Sequence, residues 1–247
     1  MPGRAHELTA SARSDRADRE GDPELDAAAQ PVGFRGRLWY VDEAGPAGAA
    51  GLSSMPIDVP MRFETEPMLW TVERVYTPPE CADLIALIER SSPTLATNNP
   101  LYRDQDRVIR DDPALADDLF RRLRRHLPER MGSLRLVGLN ERLRFYRYRP
   151  GQRFEPHMDH WYRPSDRRIT LHTVLAYFND DFEGGQTVFQ EQLDRVVVPA
   201  RGMVAVFQHK LRHEGRPVLR GTKYAMRSDV VYEADEVIGR AGCELDD

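Results

Sequence analysis

Cysteine is scarce in this sequence: Cys81 and Cys243 are the two in 247 residues. Cys81 falls on an apolar helical face and Cys243 in the C-terminal tail, which argues against a disulfide framework or a Cys-based zinc site. Long apolar runs are missing as well. None approaches the roughly 20 residues that span a bilayer, so no membrane partner is expected. The opening residues, MPGRAHELTASARSDRADRE, lack the apolar core of a secretory signal. Together these absences predict a reduced, cytoplasmic protein. A basic excess is also lacking: the formal net charge is -5, which argues against nucleic acid as a partner. Residues 1–30 contain no aromatic residue, no Val and no Ile. Such a segment buries too little apolar surface to offset its ordering entropy, and it is read as a disordered arm.

What remains is ordinary for a folded chain, with 40% hydrophobic and 30% charged residues. Residues 31–60 hold one apolar-aromatic stretch, Phe34 to Val41, then a Gly/Ala/Pro-rich connector. The domain reading is therefore an arm at 1–60, a helical support region at 61–135, a β core at 136–235 and a tail at 236–247. In the support region, Thr77-Pro78-Pro79-Glu80 predicts a capped helix start. Cys81, Leu84, Ile85, Leu87 and Ile88 follow at helical spacing. A second helix starts at Asp112-Pro113, buries Leu115, Leu119, Phe120, Leu123 and Leu127, and stops at Pro128. Arg121, Arg122, Arg124 and Arg125 on its other side are read as a solvated face. Beyond Leu139, segments 142–149, 169–178, 187–189, 195–198, 203–208 and 224–232 are short and rich in β-branched and aromatic residues, with Gly and Pro turns between them. This predicts a sandwich or barrel. No internal repeat is apparent.

The sequence has seven histidines. His157-Met158-Asp159 places an imidazole and a carboxylate at i and i+2, one face of an extended backbone, so both can reach one ion. Two imidazoles and a carboxylate leave metal positions open, as non-haem iron(II) requires. A lone H-x-D tripeptide is weak, and its bland alternative is a surface hydrogen-bonding pair. Weight comes from the stretch that begins at His213. Lys223 lies ten residues later, and Lys223 and Arg227 alternate onto one face of a predicted strand. Two inward cations need an anion, and a dicarboxylate would supply it.

Residues 139–232 resemble the catalytic domain of the prolyl 4-hydroxylase-like family of iron(II)- and 2-oxoglutarate-dependent oxygenases. The resemblance rests on Tyr148-Arg-Pro-Gly-Gln152, His157-x-Asp159, Tyr177-Phe-Asn-Asp-Asp-Phe-Glu-Gly-Gly-Gln-Thr187-Val-Phe189 and His213-Glu-Gly-x-Pro-Val-x-x-Gly-x-Lys223, in that order and spacing. It implies a double-stranded β-helix, a jelly-roll of two facing sheets, behind N-terminal supporting helices. It implies Fe(II) on His157, Asp159 and His213, and 2-oxoglutarate on Lys223 and Tyr148, with Leu175, Tyr177 and Thr187 lining its pocket. Arg227 is a further candidate for cosubstrate or substrate, or for a neighbour alone. The expected reaction hydroxylates an aliphatic C–H bond with dioxygen, and ascorbate is a candidate reductant. The substrate is peptidyl, on the prolyl 4-hydroxylase pattern, or else a free amino acid or small metabolite.

Several features stand apart from that assignment. His160 is read as exposed or supporting, His172 as facing away from Leu175 and Tyr177, and a His209–His213 helical metal pair is rejected because the run before it reads as strand. Phe154 stands where some relatives carry a tyrosine. The loop from His160 to Arg168 either covers the substrate or is a connector with Trp161 packed beneath it. A non-enzymatic jelly-roll binding module and a zinc hydrolase are the rival functions; Lys223 and Tyr148 weigh against the first, and the paired cations Lys223 and Arg227, which would lack a purpose there, against the second.

Overall fold

The computed structural model describes residues 68–96, 101–190 and 193–238. The predicted arm, the Phe34–Val41 stretch and most of the tail lie outside those residues. Helix α1 (Pro78–Arg90) begins at Thr77, whose hydroxyl accepts from the Glu80 amide while the Glu80 carboxylate accepts from the Thr77 amide at 2.7 Å. This reciprocal cap satisfies two amides that the helix itself leaves unpaired. Cys81, Leu84 and Ile88 form its buried stripe. Helix α2 (Pro113–Leu123) is capped by Asp112 and buries Ala116, Leu119 and Leu123. Arg121, Arg124 and Arg125 are exposed as expected. Arg122 is not. It donates to Glu80 and Asp118 at 2.7 Å each and to the Val75 carbonyl at 2.8 Å, with its guanidinium 5.0 Å from the Tyr76 ring centre. It ties α2 to the cap of α1.

The strands follow in chain order. The support region supplies β1 (Leu69–Val72), β2 (Thr94–Leu95), β3 (Asp106–Asp111), β4 (Arg130–Met131) and the start of β5 (Leu134–Leu139). It is therefore more than helical. Then come β6 (Arg142–Tyr148), β7 (Phe154–His157), β8 (Arg168–Tyr177), β9 (Glu183–Gly184) and β10 (Thr187–Phe189). The last are β11 (Arg195–Val197), β12 (Val204–Gln208), β13 (His213–Gly215), β14 (Val218–Arg220) and β15 (Lys223–Glu233). Among the described residues, nine strands make one large antiparallel sheet in the order β1-β12-β8-β15-β6-β3-β2, with β5 on β15 and β4 on β5. A second sheet runs β11-β10-β13-β7, and β14 pairs with β9. This is the two-sheet jelly-roll arrangement, without a closed barrel.

The central strands are apolar on both faces because the large sheet separates two cores. On one side, Leu143, Phe145, Val174, Ala176, Val204, Val206 and Met226 pack with Leu84, Ile88, Leu119 and Leu123 of the helices. On the other, Tyr146, Tyr148, Tyr177, Ala205, Phe207 and Ala225 meet Phe189 of the small sheet. The period-2 alternation of strands assigns each residue to one core or the other. Tyr146, Tyr148 and Ala225 of this second core line a cleft on that side of the large sheet.

Candidate metal centre

His157 closes β7 directly opposite His213 on β13. Asp159 follows two residues later, and its amide donates to the His209 carbonyl at 2.9 Å, fixing the chain where the strand ends. One ligand atom from each of His157, Asp159 and His213 lies within 4.8 Å of the others. The two Nε2 atoms each stand 3.8 Å from a different Asp159 oxygen. The Nδ1 atoms face the carbonyls of Glu155 at 2.8 Å and Leu211 at 2.9 Å. A carbonyl only accepts, so each Nδ1 carries the proton and each Nε2 turns a lone pair inward. Phe154 stacks on His157 at 3.6 Å, and Phe207 meets His213 edge-on at 4.6 Å, which locks both rings.

Electrostatics hold this set in the state a divalent cation binds. Burial pushes His157 down to about 4, helped by His213, and burial lowers His213 too. For Asp159 burial works toward protonation, but Arg227 and the neighbouring imidazoles outweigh it and hold the carboxyl well below its usual range. Two neutral imidazoles and an ionised carboxylate are the donor set required of the ligands. Iron(II) fits these residues by that chemistry.

Both Asp159 oxygens are also fixed from outside. The Thr173 hydroxyl donates to Oδ2 at 2.5 Å, and Arg227 Nη1 lies 2.5 Å from Oδ1. Arg227 in turn donates to Asp229 Oδ1 at 2.9 Å, and Asp229 Oδ2 accepts from Asn140 at 3.2 Å and Arg144 at 3.4 Å. Arg227 is thus already neutralised by protein carboxylates. The expectation of two inward cations sharing one dicarboxylate reduces to Lys223 alone.

Lys223 heads β15 opposite Tyr148 on β6 and is 4% exposed. Its ammonium donates to the Gly185 carbonyl at 2.6 Å and lies 5.2 and 5.3 Å from the ring centres of Tyr148 and Tyr177. No carboxylate among the described residues pairs with it, and burial pushes it down to about 7. The backbone bends to reach it: Gly185 has φ +66°, and a Cβ there would stand 3.2 Å from the Lys223 side chain and 3.0 Å from Phe182. Lys223, Tyr148, Leu175 and Thr187 line one cleft with the three candidate ligands.

Tyr177 is placed differently from the expectation. It does not line the cleft; its hydroxyl holds that of Thr187 at 2.8 Å from behind. His160 is exposed. His172 points into the helical-side core against Trp70, and His209 bonds Thr173 and Thr170. Trp161 packs on that core beneath the Lys210 ammonium at 3.8 Å, so the start of the His160–Arg168 loop is anchored. Sequence reasoning missed Tyr146, Thr173 and Asp229. Each lies two residues from a residue it named, on the same strand face, and that alternation was the available signal.

Residues 143–228 match the 2OG-Fe(II) oxygenase superfamily. No curated protein sequence matches significantly. Among solved structures, the chain is similar to the viral collagen prolyl hydroxylase of Paramecium Bursaria Chlorella virus-1 in its 2OG complex (TM-score 0.51, 20% identity, 68% of this chain and 97% of that one). It is similar to a Pseudomonas putida prolyl-4-hydroxylase (TM-score 0.51, 18% identity, 68% of this chain and 93% of that one). A third is the Trichoplax adhaerens prolyl hydroxylase in complex with a hypoxia inducible factor oxygen degradation domain peptide fragment (TM-score 0.51, 16% identity, 66% of this chain and 82% of that one). At these identities the structures speak to the fold. Over residues 143–228, about a third of the 247 residues, the chain is thus similar to the 2OG-Fe(II) oxygenase superfamily.

Proposed function

We propose that the chain hydroxylates an aliphatic C–H bond in the manner of prolyl 4-hydroxylases, with His157, Asp159 and His213 holding iron(II) and Lys223 holding the far carboxylate of 2-oxoglutarate. The observation that carries this reading is the Lys223 ammonium, buried without an anion in the same cleft as the three ligand atoms. A desolvated cation is costly until an anion joins it, and a carboxylate does so by charge-assisted hydrogen bonding. Tyr148 and Thr187 border the same space and offer hydroxyl groups. Bound there, iron(II) with 2-oxoglutarate and dioxygen supplies the oxidising power for hydroxylation, giving succinate and carbon dioxide as co-products.

The protein's own part is orientation and exclusion of water. Thr173 and Arg227 fix the two Asp159 oxygens, so the carboxylate presents one geometry. The stacked rings of Phe154 and Phe207 do the same for the imidazoles. Ala225 and Leu175 keep the cleft wall apolar between Lys223 and Arg227. The superfamily acts on small-molecule or peptide substrates; the peptide bound to the Trichoplax adhaerens enzyme supports a peptidyl substrate here, and ascorbate is the reductant to try first. No helix among the described residues is long and apolar enough to cross a membrane.

The test is anaerobic addition of iron(II) and 2-oxoglutarate to the full chain. The expected result is a weak visible charge-transfer band that His157→Ala and Asp159→Ala abolish, and that Lys223→Ala restores only at higher 2-oxoglutarate. A band that survives the ligand substitutions unchanged overturns the assignment.

A further inference from the structure

Beyond the candidate centre, the inner face of the large sheet carries a second group of cations. Arg107 on β3 is the cross-strand partner of Tyr146, and Ile109 is the partner of Arg144. Directly opposed residues of antiparallel strands project from the same face. Tyr146 lines the cleft, so Arg107 stands on the cleft side of the sheet. It is half-buried, and no carboxylate or other acceptor among the described residues pairs with it. Burial lowers its affinity for its proton, and Arg103, Arg144 and Arg142 add to that through like charge, with Tyr146 alone opposing them.

Arg103 comes from the loop before β3. Its guanidinium lies 5.1 Å from the Phe154 ring centre, and Phe154 is the ring stacked on the candidate ligand His157. One nitrogen donates to the Ala96 carbonyl at 3.3 Å, while Nε is buried with no partner among the described residues. A buried N–H left unpaired costs free energy that a ligand acceptor removes. Beside these two arginines, Tyr102 and Ile109 expose apolar surface, at 42% and 40%. Arg144 and Arg227 are already engaged with Asp229 and Asp159, which leaves Arg107 and Arg103 without a carboxylate partner among the described residues.

We propose that Arg107 and Arg103 bind a carboxylate of the substrate, so that this oxygenase acts on an acidic molecule or an acidic peptide segment rather than on a neutral one. The proposal rests on the function given above and names its substrate class. The fork of Arg107 fits two carboxylate oxygens, and Arg103 Nε adds a third donor. Such a group is not the cosubstrate. Lys223 lies on β15, two strands away from β3, about 10 Å at ordinary strand spacing. The carboxylate would sit at the mouth, with the Phe154 ring between it and the candidate metal ligand His157.

The test uses the full chain loaded with manganese(II) and 2-oxoglutarate, titrated calorimetrically with paired probes that differ in one group: N-acetyl-L-proline against N-acetyl-L-prolinamide, and a Pro-Glu tripeptide against its Pro-Gln counterpart. The pairs separate a small acid from an acidic peptide. We expect the acid member of at least one pair to bind about tenfold or more tightly than its amide, and that preference to be lost in Arg107→Gln and weakened in Arg103→Gln. Arg107→Lys, which keeps charge without the fork, should fall between. Failure to load 2-oxoglutarate sinks the parent reading. If loading succeeds but acid and amide bind alike, neither binds at millimolar concentration, inorganic phosphate binds in their place, or Arg107→Gln changes nothing, this inference is wrong and the parent reading stands.

Discussion

Replacing Lys223 with Met should make the metal-free, cosubstrate-free protein more stable at pH 7, although it removes a residue of the site. The ammonium is buried with one carbonyl as its partner, and its pKa falls from an ordinary 10.5 to about 7. That fall corresponds to roughly 5 kcal/mol of cost for the charged form. Met has similar length and no charge, so it removes the cost. It also leaves the Gly185 carbonyl without its donor, which returns about 1–3 kcal/mol. The net gain is roughly 2–4 kcal/mol, or a rise in Tm of roughly 5–12 °C. The pH dependence is the sharper check. Between about pH 7 and 10.5 the unfolded chain binds more protons at Lys223 than the folded one, so wild type gains stability as pH rises through that window. Below pH 7 the Met advantage is constant and at its largest. Near pH 10.5 it inverts, because the neutral amine still donates to Gly185 and Met cannot. Thermal unfolding with a chelator present, from pH 6 to 10, reads both variants. If Lys223→Met is destabilising at pH 7, or the difference between the two is flat across the window, the ammonium is not the strained cation described here.

Two further substitutions probe the neighbouring charges. Arg227→Met removes the cationic partner of Asp159 and leaves Asp229 to Arg144 and Asn140, and should cost about 3–5 kcal/mol without metal. Added manganese(II) should then raise Tm more in the variant than in wild type, since the ion replaces the lost cation; equal increments would show that Arg227 does not compensate Asp159. Arg122→Ala removes a half-exposed clamp between the helices and should lower Tm by about 4 °C, from roughly 1–2 kcal/mol, while 2-oxoglutarate affinity stays fixed. An unchanged Tm would assign the helix packing to the apolar stripes alone.

The parts of the fold written in local chemistry were legible from the sequence. The Thr77–Glu80 cap, the Asp112-Pro113 start and the strands at 187–189 and 204–208 carry their signals within a few residues. Strand β3 carries none: Asp106–Asp111 sets Val108 and Ile109 side by side between charged pairs, with no period-2 alternation, and becomes a strand because β6 offers it an edge. Strands β7 and β13, three or four residues each, are too short for a periodicity, and what defines them is their pairing with each other. The ligand residues could be named because H-x-D and the spacing from His213 to Lys223 survive as strings. The partner of Arg227 could not, since Asp159 lies far off in sequence and meets it through tertiary packing. Arg122 shows the same limit: charge pattern alone does not distinguish a solvated arginine from one that clamps a neighbouring helix.

Strand β15 carries Lys223, Ala225, Arg227 and Asp229 on one face, paired with β8 from Ala225 onward on one side and with β6 over Lys223–Arg227 on the other. Backbone pitch therefore sets the interval between the ammonium and the guanidinium that marks the level of Asp159, about 13 Å over four residues. Rotamer choice can adjust that interval only slightly, because both side chains are packed. A dicarboxylate anchored on Lys223 therefore meets a fixed reach toward Asp159, set by the backbone rather than by one side chain. A one-residue slip of β15 would turn Tyr224, Met226 and Ser228 toward the cleft and take both Lys223 and Arg227 out of its wall.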